Sequence, residues 1–170
     1  MKVGSAKILA AGLGMALLAG GGSIARAATA AGPVEAVLIK PLSLVKTDDL
    51  DFGTVVSSPA AGTVTINANT GVQTTTGGVS SAGGAPKRAE FVGVGGLGLL
   101  IIIAISASPT LTNGTGGSMP STLAVQGGTG FRFFPGTGVQ IFRVGGTLNV
   151  GANQQDGNYS GTFSLTVNYF

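Results

Sequence analysis

The sequence predicts an all-β fold, an antiparallel sandwich or barrel, on three observations. Short apolar runs with strand-like alternation recur along the chain, glycine-rich breakers separate them, and no long amphipathic helix pattern follows residue 27. Short strands at regular spacing with glycine-rich turns are typical of antiparallel sandwiches and barrels. A chain of this length is sufficient for one domain with its own core.

The first 27 residues are typical of a secretory signal peptide. Lys2 and Lys7 form a short basic region, residues 8–19 are apolar, and Ala25-Arg26-Ala27 supplies an A-x-A cleavage site. A membrane-spanning helix is the alternative, but the apolar stretch is shorter than the ~20 residues that a span requires. We therefore expect export, through the periplasm to the cell surface or the medium.

The predicted strands follow in order after the signal peptide. They lie at residues 34–39, 42–45, 50–56, 63–66, 89–94, 99–106, 122–125, 131–133, 139–144 and 147–150. Turn signals such as Ser58-Pro59, Asn113-Gly114 and Asp156-Gly157 separate them. Residues 70–88 have the weakest pattern, and we expect a mobile loop there.

The most regular strand ends the chain. From Tyr159 to Tyr169, apolar residues and glycine alternate with Ser, Thr and Asn, and only Phe170 interrupts the polar series. Successive side chains of a strand point to opposite faces, so one face must be buried and the other hydrated. The buried set would be Tyr159, Gly161, Phe163, Leu165, Val167 and Tyr169. Such a strand is either packed within a sandwich or available to a partner.

Charge and composition exclude several functions. Removal of residues 1–27 leaves six basic and six acidic residues, so no basic stripe for nucleic acid remains. The chain contains no Cys and no His. Their absence excludes Ser-His-Asp and Cys-His catalysis and removes the usual zinc and iron ligands. We expect no enzyme activity and no cofactor, because only carboxylates could act and no suitably spaced pair is visible.

Two motifs resemble nucleotide or metal sites without their context. Residues 93–98 satisfy G-x-G-x-x-G, but a β-branched run follows them where the dinucleotide fold needs a helix, so a glycine-rich hairpin turn is the better interpretation. Asp48, Asp49 and Asp51 could together hold calcium. A solvated turn that leads into a strand burying Leu50 and Phe52 is favoured, because the spaced carboxylates of known calcium loops are missing.

Two apolar segments have alternatives of their own. The uncharged run at residues 91–107 is marginal as a membrane helix and fits a hairpin of two buried strands. Phe131, Phe133 and Phe134 with Arg132 could present an aromatic patch to carbohydrate. Core filling is favoured for these rings, because buried aromatic side chains dominate protein cores.

Both ends of the region after the signal peptide resemble a known family. The stretch from Lys40-Pro41-Leu42-Ser43-Leu44 through Thr47-Asp48-Asp49-Leu50-Asp51-Phe52-Gly53 is similar to the start of the bacterial family called domain of unknown function 4402. The stretch from Gly145-Gly146-Thr147-Leu148-Asn149-Val150 to Thr166-Val167-Asn168-Tyr169 is similar to its end. The resemblance implies an exported, immunoglobulin-like β-sandwich domain of Gram-negative bacteria.

The carboxyl end also resembles that of chaperone–usher pilins, which carry a glycine fourteenth from the end and a penultimate tyrosine. Gly157 and Tyr169 occupy those positions, whereas the disulfide common in pilins is missing. The resemblance implies a sandwich at residues 41–170 that lacks one strand, with the strand from Gly157 to Tyr169 forming one wall of the groove. A neighbouring subunit would supply the missing strand, and a periplasmic chaperone and an outer-membrane usher would assist assembly.

The segment at residues 28–40 is the predicted donor strand. It is apolar around Val34, Ala36, Val37, Leu38 and Ile39. Head-to-tail contacts of this kind do not close on themselves and build filaments. The expected function is therefore a structural subunit of a cell-surface fibre, a homo-oligomer. The alternative is a complete, monomeric sandwich that acts as a secreted or surface-attached binding module.

Overall fold

In the computed structural model, Pro33 and residues 35–170 are described, and they form twelve strands and no helix. The strands are β1 (Ser43–Asp48), β2 (Val55–Val56), β3 (Gly62–Ile66), β4 (Gln73–Gly77), β5 (Ser80–Ser81), β6 (Ala89–Val94), β7 (Leu100–Ile105), β8 (Thr110–Thr112), β9 (Ser118–Val125), β10 (Gly130–Phe133), β11 (Val139–Val150) and β12 (Leu165–Tyr169). The predicted signal peptide and Val34 lie outside the described residues.

Contacts divide the chain into two units, Met1–Val37 and Leu38–Phe170, and all twelve strands belong to the second. Its larger sheet has the order β1-β6-β11-β3-β4. β9 pairs with the edge of β11 opposite to the one that pairs with β6 and β3, and β8 pairs with β9. The smaller sheet has the order β10-β7-β12, and β2 pairs with β5. Every pairing is antiparallel, so the predicted all-β antiparallel class is confirmed.

The core identifies the architecture as a sandwich. One cluster combines Phe91, Phe142 and Val144 of the larger sheet with Ile101 and Ile103 of the smaller sheet. A second cluster lies around β3 and β11 and contains Phe52, Val64, Ile66, Val79, Met119, Leu148 and Val150. Burial of each such side chain contributes about 1.5–3 kcal/mol, and the first cluster, which contains residues of both sheets, holds the two sheets together.

The longest strand, β11, was expected as two strands with a break at Gly145 and Gly146, and that prediction is wrong. Both glycines lie inside the strand because its neighbours approach too closely for a side chain. A Cβ at Gly145 would lie 2.2 Å from the carbonyl oxygen of Ile66, and one at Gly146 would lie 2.7 Å from that of Thr122. Glycine here permits close packing on both edges of the strand.

The run at residues 91–107 forms strands, as expected, but not a hairpin. β6 pairs with β1 and β11, whereas β7 pairs with β10 and β12 in the other sheet. The glycine-rich turn at residues 95–99 therefore crosses between the sheets. Its backbone is fixed by hydrogen bonds from Gly95 to Gly138 and from Gly98 to Phe134. Among the described residues, no helix has the length and apolar character required to cross a membrane.

Residues 70–88 were expected to form a mobile loop, and they contain β4 and β5 instead. β4 pairs along its length with β3, where the hydroxyls of Thr63 and Thr76 are 2.7 Å apart. Most side chains of β4 are threonine or glutamine, so it lacks the apolar alternation by which strands are recognised.

Candidate functional site

The carboxyl-terminal strand occupies one edge of the smaller sheet. β12 begins at Leu165, and the residues before it continue as an extended segment in which Ser160 forms an antiparallel bridge with Thr112. Leu165 and Val167 are buried, while Thr166 and Asn168 are exposed. Of the remaining predicted inward residues, Tyr159, Phe163 and Tyr169 are half-buried and Gly161 is exposed.

One edge of β12 has no strand beside it in the part of the chain that the structure describes. Ser106 donates a hydrogen bond to the carbonyl of Ser164, and Phe170 donates to that of Leu100. Antiparallel neighbours exchange hydrogen bonds at every second residue. The backbone N–H and C=O groups of the even-numbered residues of β12 therefore point towards β7. The backbone N–H and C=O groups of Leu165, Val167 and Tyr169 point away from β7, towards the open edge.

β1 presents a comparable edge on the larger sheet, again among the described residues. Gly95 donates its N–H to the carbonyl of Gly138. The backbone N–H and C=O groups of the odd-numbered residues of β6 therefore point towards β11, and those of the even-numbered residues point towards β1. Ser43 and Val45 are opposite Val94 and Val92, so they bond to β6. The backbone groups of Leu44 therefore point outward, while its side chain packs on the core.

A groove follows the segments that continue these two edges, and we call it the open groove. Its first lobe, of about 610 Å³, lies between residues 46–52 and residues 159–163. Its second lobe, of about 480 Å³, lies between residues 50–57 and residues 154–159. Apolar side chains of the core line the groove. Leu50, Phe52 and Leu111 line both lobes, Phe91, Leu123 and Phe163 line the first, and Met119, Leu148 and Val150 line the second. The groove thus exposes part of the core between two extended segments.

The junction between β10 and β11, which also belong to different sheets, is closed by polar groups. Arg132 donates through Nη2 to the carbonyls of Gln126 and Gly128, at 3.0 and 3.2 Å. Gln126 in turn donates its N–H to the carbonyl of Arg143 and accepts a bond from the guanidinium of Arg143. These bonds join β10, the preceding turn and β11. The open groove shows no such cross-link between its walls over the first lobe.

A tight corner sets the direction of the wall that ends in β12. Gly157 has a φ of 148°, and a Cβ on it would lie 3.1 Å from Cβ and Nδ2 of Asn113. Oδ1 of Asn113 accepts hydrogen bonds from the N–H groups of Thr115 and Gly117. The hydroxyl of Tyr159 donates to the carbonyl of Gln155 at 2.6 Å. Gly157 and Tyr159 are therefore held where the extended segment begins.

The three aspartates near the groove have separate partners. Asp49 bonds to Lys46 at 2.5 Å, and Asp48 bonds to Lys87 at 2.7 Å. The hydrogen bond from Lys46 lowers the pKa of Asp49, and the hydrogen bond to Asp48 raises the pKa of Lys87. Asp51 instead accepts the N–H of Gly53 at 2.7 Å, which forms the turn expected here. Within the described residues, no three carboxylates are grouped to hold a metal ion.

The described part of the predicted donor forms no strand. Ala36, Val37, Leu38 and Ile39 are all exposed, and Leu38 is fully accessible to solvent. A run of exposed apolar side chains is unusual in a soluble segment without a partner. These residues therefore have the composition of a buried strand but pair with no strand among the residues that the structure describes.

The aromatic residues in and directly after β10 divide between core and surface. Phe134 is buried in the first core cluster, as expected for core filling. Phe131 and Phe133 are exposed, so the expectation of core filling is wrong for these two. Alternation explains the split, because Phe131 and Phe133 share a face with Ile102 and Leu100, opposite to the face that carries Ile101 and Ile103.

The second wall of the groove was not predicted from the sequence. The carboxyl-terminal wall was predicted, but the contribution of Lys46, Val56 and Leu111 to the groove was not. The alternation of Leu50 and Phe52 with Asp49 and Asp51 was the available signal for a half-buried segment. It gives no information about what lies across from that segment.

Residues 42–169 match the model of a family described as Domain of unknown function (DUF4402). None of the curated proteins matches the chain.

Proposed function

The chain belongs to the Domain of unknown function (DUF4402) family, and we propose that it is a pilin-like structural subunit of a bacterial cell-surface fibre, completed by a strand from a neighbouring copy. One observation carries this proposal. The outward edge of β12 has no strand beside it in the described chain, and the extended segment that leads into β12 lines the open groove, whose floor is apolar. An extended segment is the ligand that such a groove fits.

The edge of β12 and the open groove can both contribute to binding. The outward N–H and C=O groups of Leu165, Val167 and Tyr169 can form main-chain hydrogen bonds with an added strand. The apolar floor can receive every second side chain of that strand. Each buried Val, Leu or Ile contributes about 1.5–3 kcal/mol, so four or five of them would form a very stable joint.

Residues 34–39 of another copy are the strand that we propose for the groove. Their side chains are apolar apart from Glu35, and the described ones are exposed. β-Branched residues such as Val37 and Ile39 favour extended backbone. Because each copy has one donor and one groove, the contact is head-to-tail and extends into a filament.

The proposed route of assembly follows from export. The signal peptide predicted at residues 1–27 would deliver the chain to the periplasm. An unfilled groove exposes unpaired backbone and apolar surface, which promotes aggregation. A periplasmic chaperone would cover the groove until an outer-membrane usher passes the subunit to the fibre at the cell surface.

Deletion of residues 28–39 tests the proposal. The shortened protein should unfold cooperatively and remain monomeric, while the intact mature protein forms filaments visible by electron microscopy. A synthetic peptide of residues 28–40 should bind to the shortened protein and raise its melting temperature, since a ligand of the native state stabilises it by mass action. A peptide with Val37 and Leu38 replaced by Asp is the matched control and should not bind.

The opposite result has a definite meaning. Intact mature protein that stays monomeric at high concentration, and a deletion variant that no longer folds, would show that residues 28–39 complete their own domain. The chain would then be a self-contained sandwich, and its function that of a monomeric binding or adhesion module.

A further inference from the structure

Exposed large apolar residues gather at one end of the domain. Leu97 is 64% exposed, Phe133 is 70% exposed and Phe170 is 79% exposed. We call these three residues the end patch. The ring of Phe131 packs edge-on against that of Phe170, with centroids 4.6 Å apart, which restrains the Phe170 side chain. Exposed apolar groups that cluster in this way are typical of interaction surfaces.

Backbone hydrogen bonds place these residues at a common end. Leu97 lies in the turn before β7, and the next residue, Gly98, donates to the carbonyl of Phe134. Phe134 itself donates to the carbonyl of Leu99. Phe170 donates to the carbonyl of Leu100, where β7 begins. The turn, the end of β10 and the end of β12 are thus joined into one rigid surface.

The amino-terminal segment enters the domain at this same end. The hydroxyl of Tyr169 donates to the carbonyl of Lys40 at 2.9 Å and accepts the N–H of Gly96. Lys40 is therefore fixed beside the turn that carries Leu97. A shallow depression of about 440 Å³ lies here, lined by Leu38, Ile39 and Leu97 among others.

We propose that the end patch packs against the next copy of this chain, beside the groove that receives the donor strand. This inference rests on the proposed function. Residues 36–39 immediately precede Lys40, and a strand advances about 3.4 Å per residue, so no spacer separates the donor from the patch. A neighbour that holds Leu38 in its groove must therefore lie against this end of the domain.

The chemistry of the end supports a second copy as the partner. Residues 94–100, 133–139 and 169–170 contain no charged side chain. A contact between apolar side chains adds hydrophobic area to the strand joint and restricts rotation about it, whereas a joint made by the donor alone would act as a flexible hinge.

Replacement of the patch by serine tests this inference in the mature protein. The variant Leu97→Ser/Phe133→Ser/Phe170→Ser changes only side chains that are more than half exposed, and Leu97→Ser alone serves if the triple variant folds poorly. Val72→Ser is the matched control, since Val72 is 57% exposed in the connection between β3 and β4. Association between copies is measured by analytical ultracentrifugation, and groove occupancy by binding of the peptide of residues 28–40.

The expected result separates the patch from the groove. Association of the triple variant should be roughly ten-fold weaker or more, while its affinity for the peptide stays unchanged. Val72→Ser should associate and bind the peptide as wild type does. Unchanged association with normal peptide binding would overturn the inference and leave the proposed function intact. A wild-type protein that neither associates nor binds the peptide would overturn the proposed function, and this inference with it.

Discussion

The hydroxyl of Tyr169 donates a hydrogen bond to the carbonyl of Lys40, 2.9 Å away and 129 positions earlier in the chain. The same hydroxyl accepts the N–H of Gly96, in the turn between the two sheets. One side chain thus connects the last strand, the entry of the amino-terminal segment and the inter-sheet turn. The penultimate position of the chain therefore has a structural role at the end where we place the subunit joint.

Replacement of Tyr169 by Phe should destabilise the domain by about 1 kcal/mol, because the hydroxyl forms two hydrogen bonds and the ring remains in place. Urea unfolding of unassembled protein measures the change. Asn168→Ala alters the adjacent exposed side chain and is the control, with an expected change within about 0.5 kcal/mol. Equal stability of Tyr169→Phe and wild type would contradict a structural role for the hydroxyl.

The sequence was sufficient to predict strands whose two faces differ. Leu165 and Val167 alternate with Thr166 and Asn168, and the structure buries the first pair and exposes the second. By contrast, both faces of β4 carry threonine: Thr74 and Thr76 lie opposite Thr65 and Thr63, and Thr75 lies opposite Val64. Hydrophobic periodicity carries no signal for such a strand, which is why residues 73–77 were expected to be a loop.

Pairing partners could not be predicted from the same patterns. β6 and β7 are close in sequence and both apolar, which suggested a hairpin, yet they lie in opposite sheets. Alternation reports which side chains are buried, and it does not report which strand lies alongside. Gly145 and Gly146 have the composition of a turn, but they lie in a strand because the backbones of Ile66 and Thr122 approach them closely. The second wall of the open groove was missed for the same reason.

Gly157→Ala should destabilise the domain by roughly 1–3 kcal/mol. The backbone φ of 148° is unfavourable for a residue with a Cβ, and that Cβ would contact the side chain of Asn113. Gly136→Ala is the matched control, because a Cβ there meets no atom within 4 Å. Thermal unfolding of both variants measures the difference, and equal melting temperatures would show that the corner tolerates a side chain.

The ion pairs of Glu90 should make the folding stability depend on pH. Its carboxylate lies 2.8 Å from Arg143 and 3.1 Å from Arg88, and the hydrogen bond from Arg143 is the main cause that lowers its pKa in the folded protein. A lowered folded-state pKa stabilises the fold at pH values above the unfolded pKa, and this stabilisation is lost as the pH falls through the folded pKa.

Glu90→Gln should therefore be less stable than wild type at neutral pH, by about 1 kcal/mol, and the difference should disappear in acid. Urea unfolding between neutral and acidic pH measures it. The control is Asp156→Asn, since the carboxylate of Asp156 forms no ion pair with the described residues. A stability difference that stays constant over this pH range would show that the Glu90 ion pairs do not cause it.

Val56→Lys should reduce assembly with little change in folding stability. Val56 lines the second lobe of the open groove and is 54% exposed, so a lysine fits in the unassembled protein but would be buried by an added strand. Burial of an unpaired ammonium group is strongly unfavourable. Val72→Lys has similar exposure away from the groove and should assemble as wild type does. Sedimentation velocity compares the two variants, and equal polymer formation by both would show that no strand occupies this lobe.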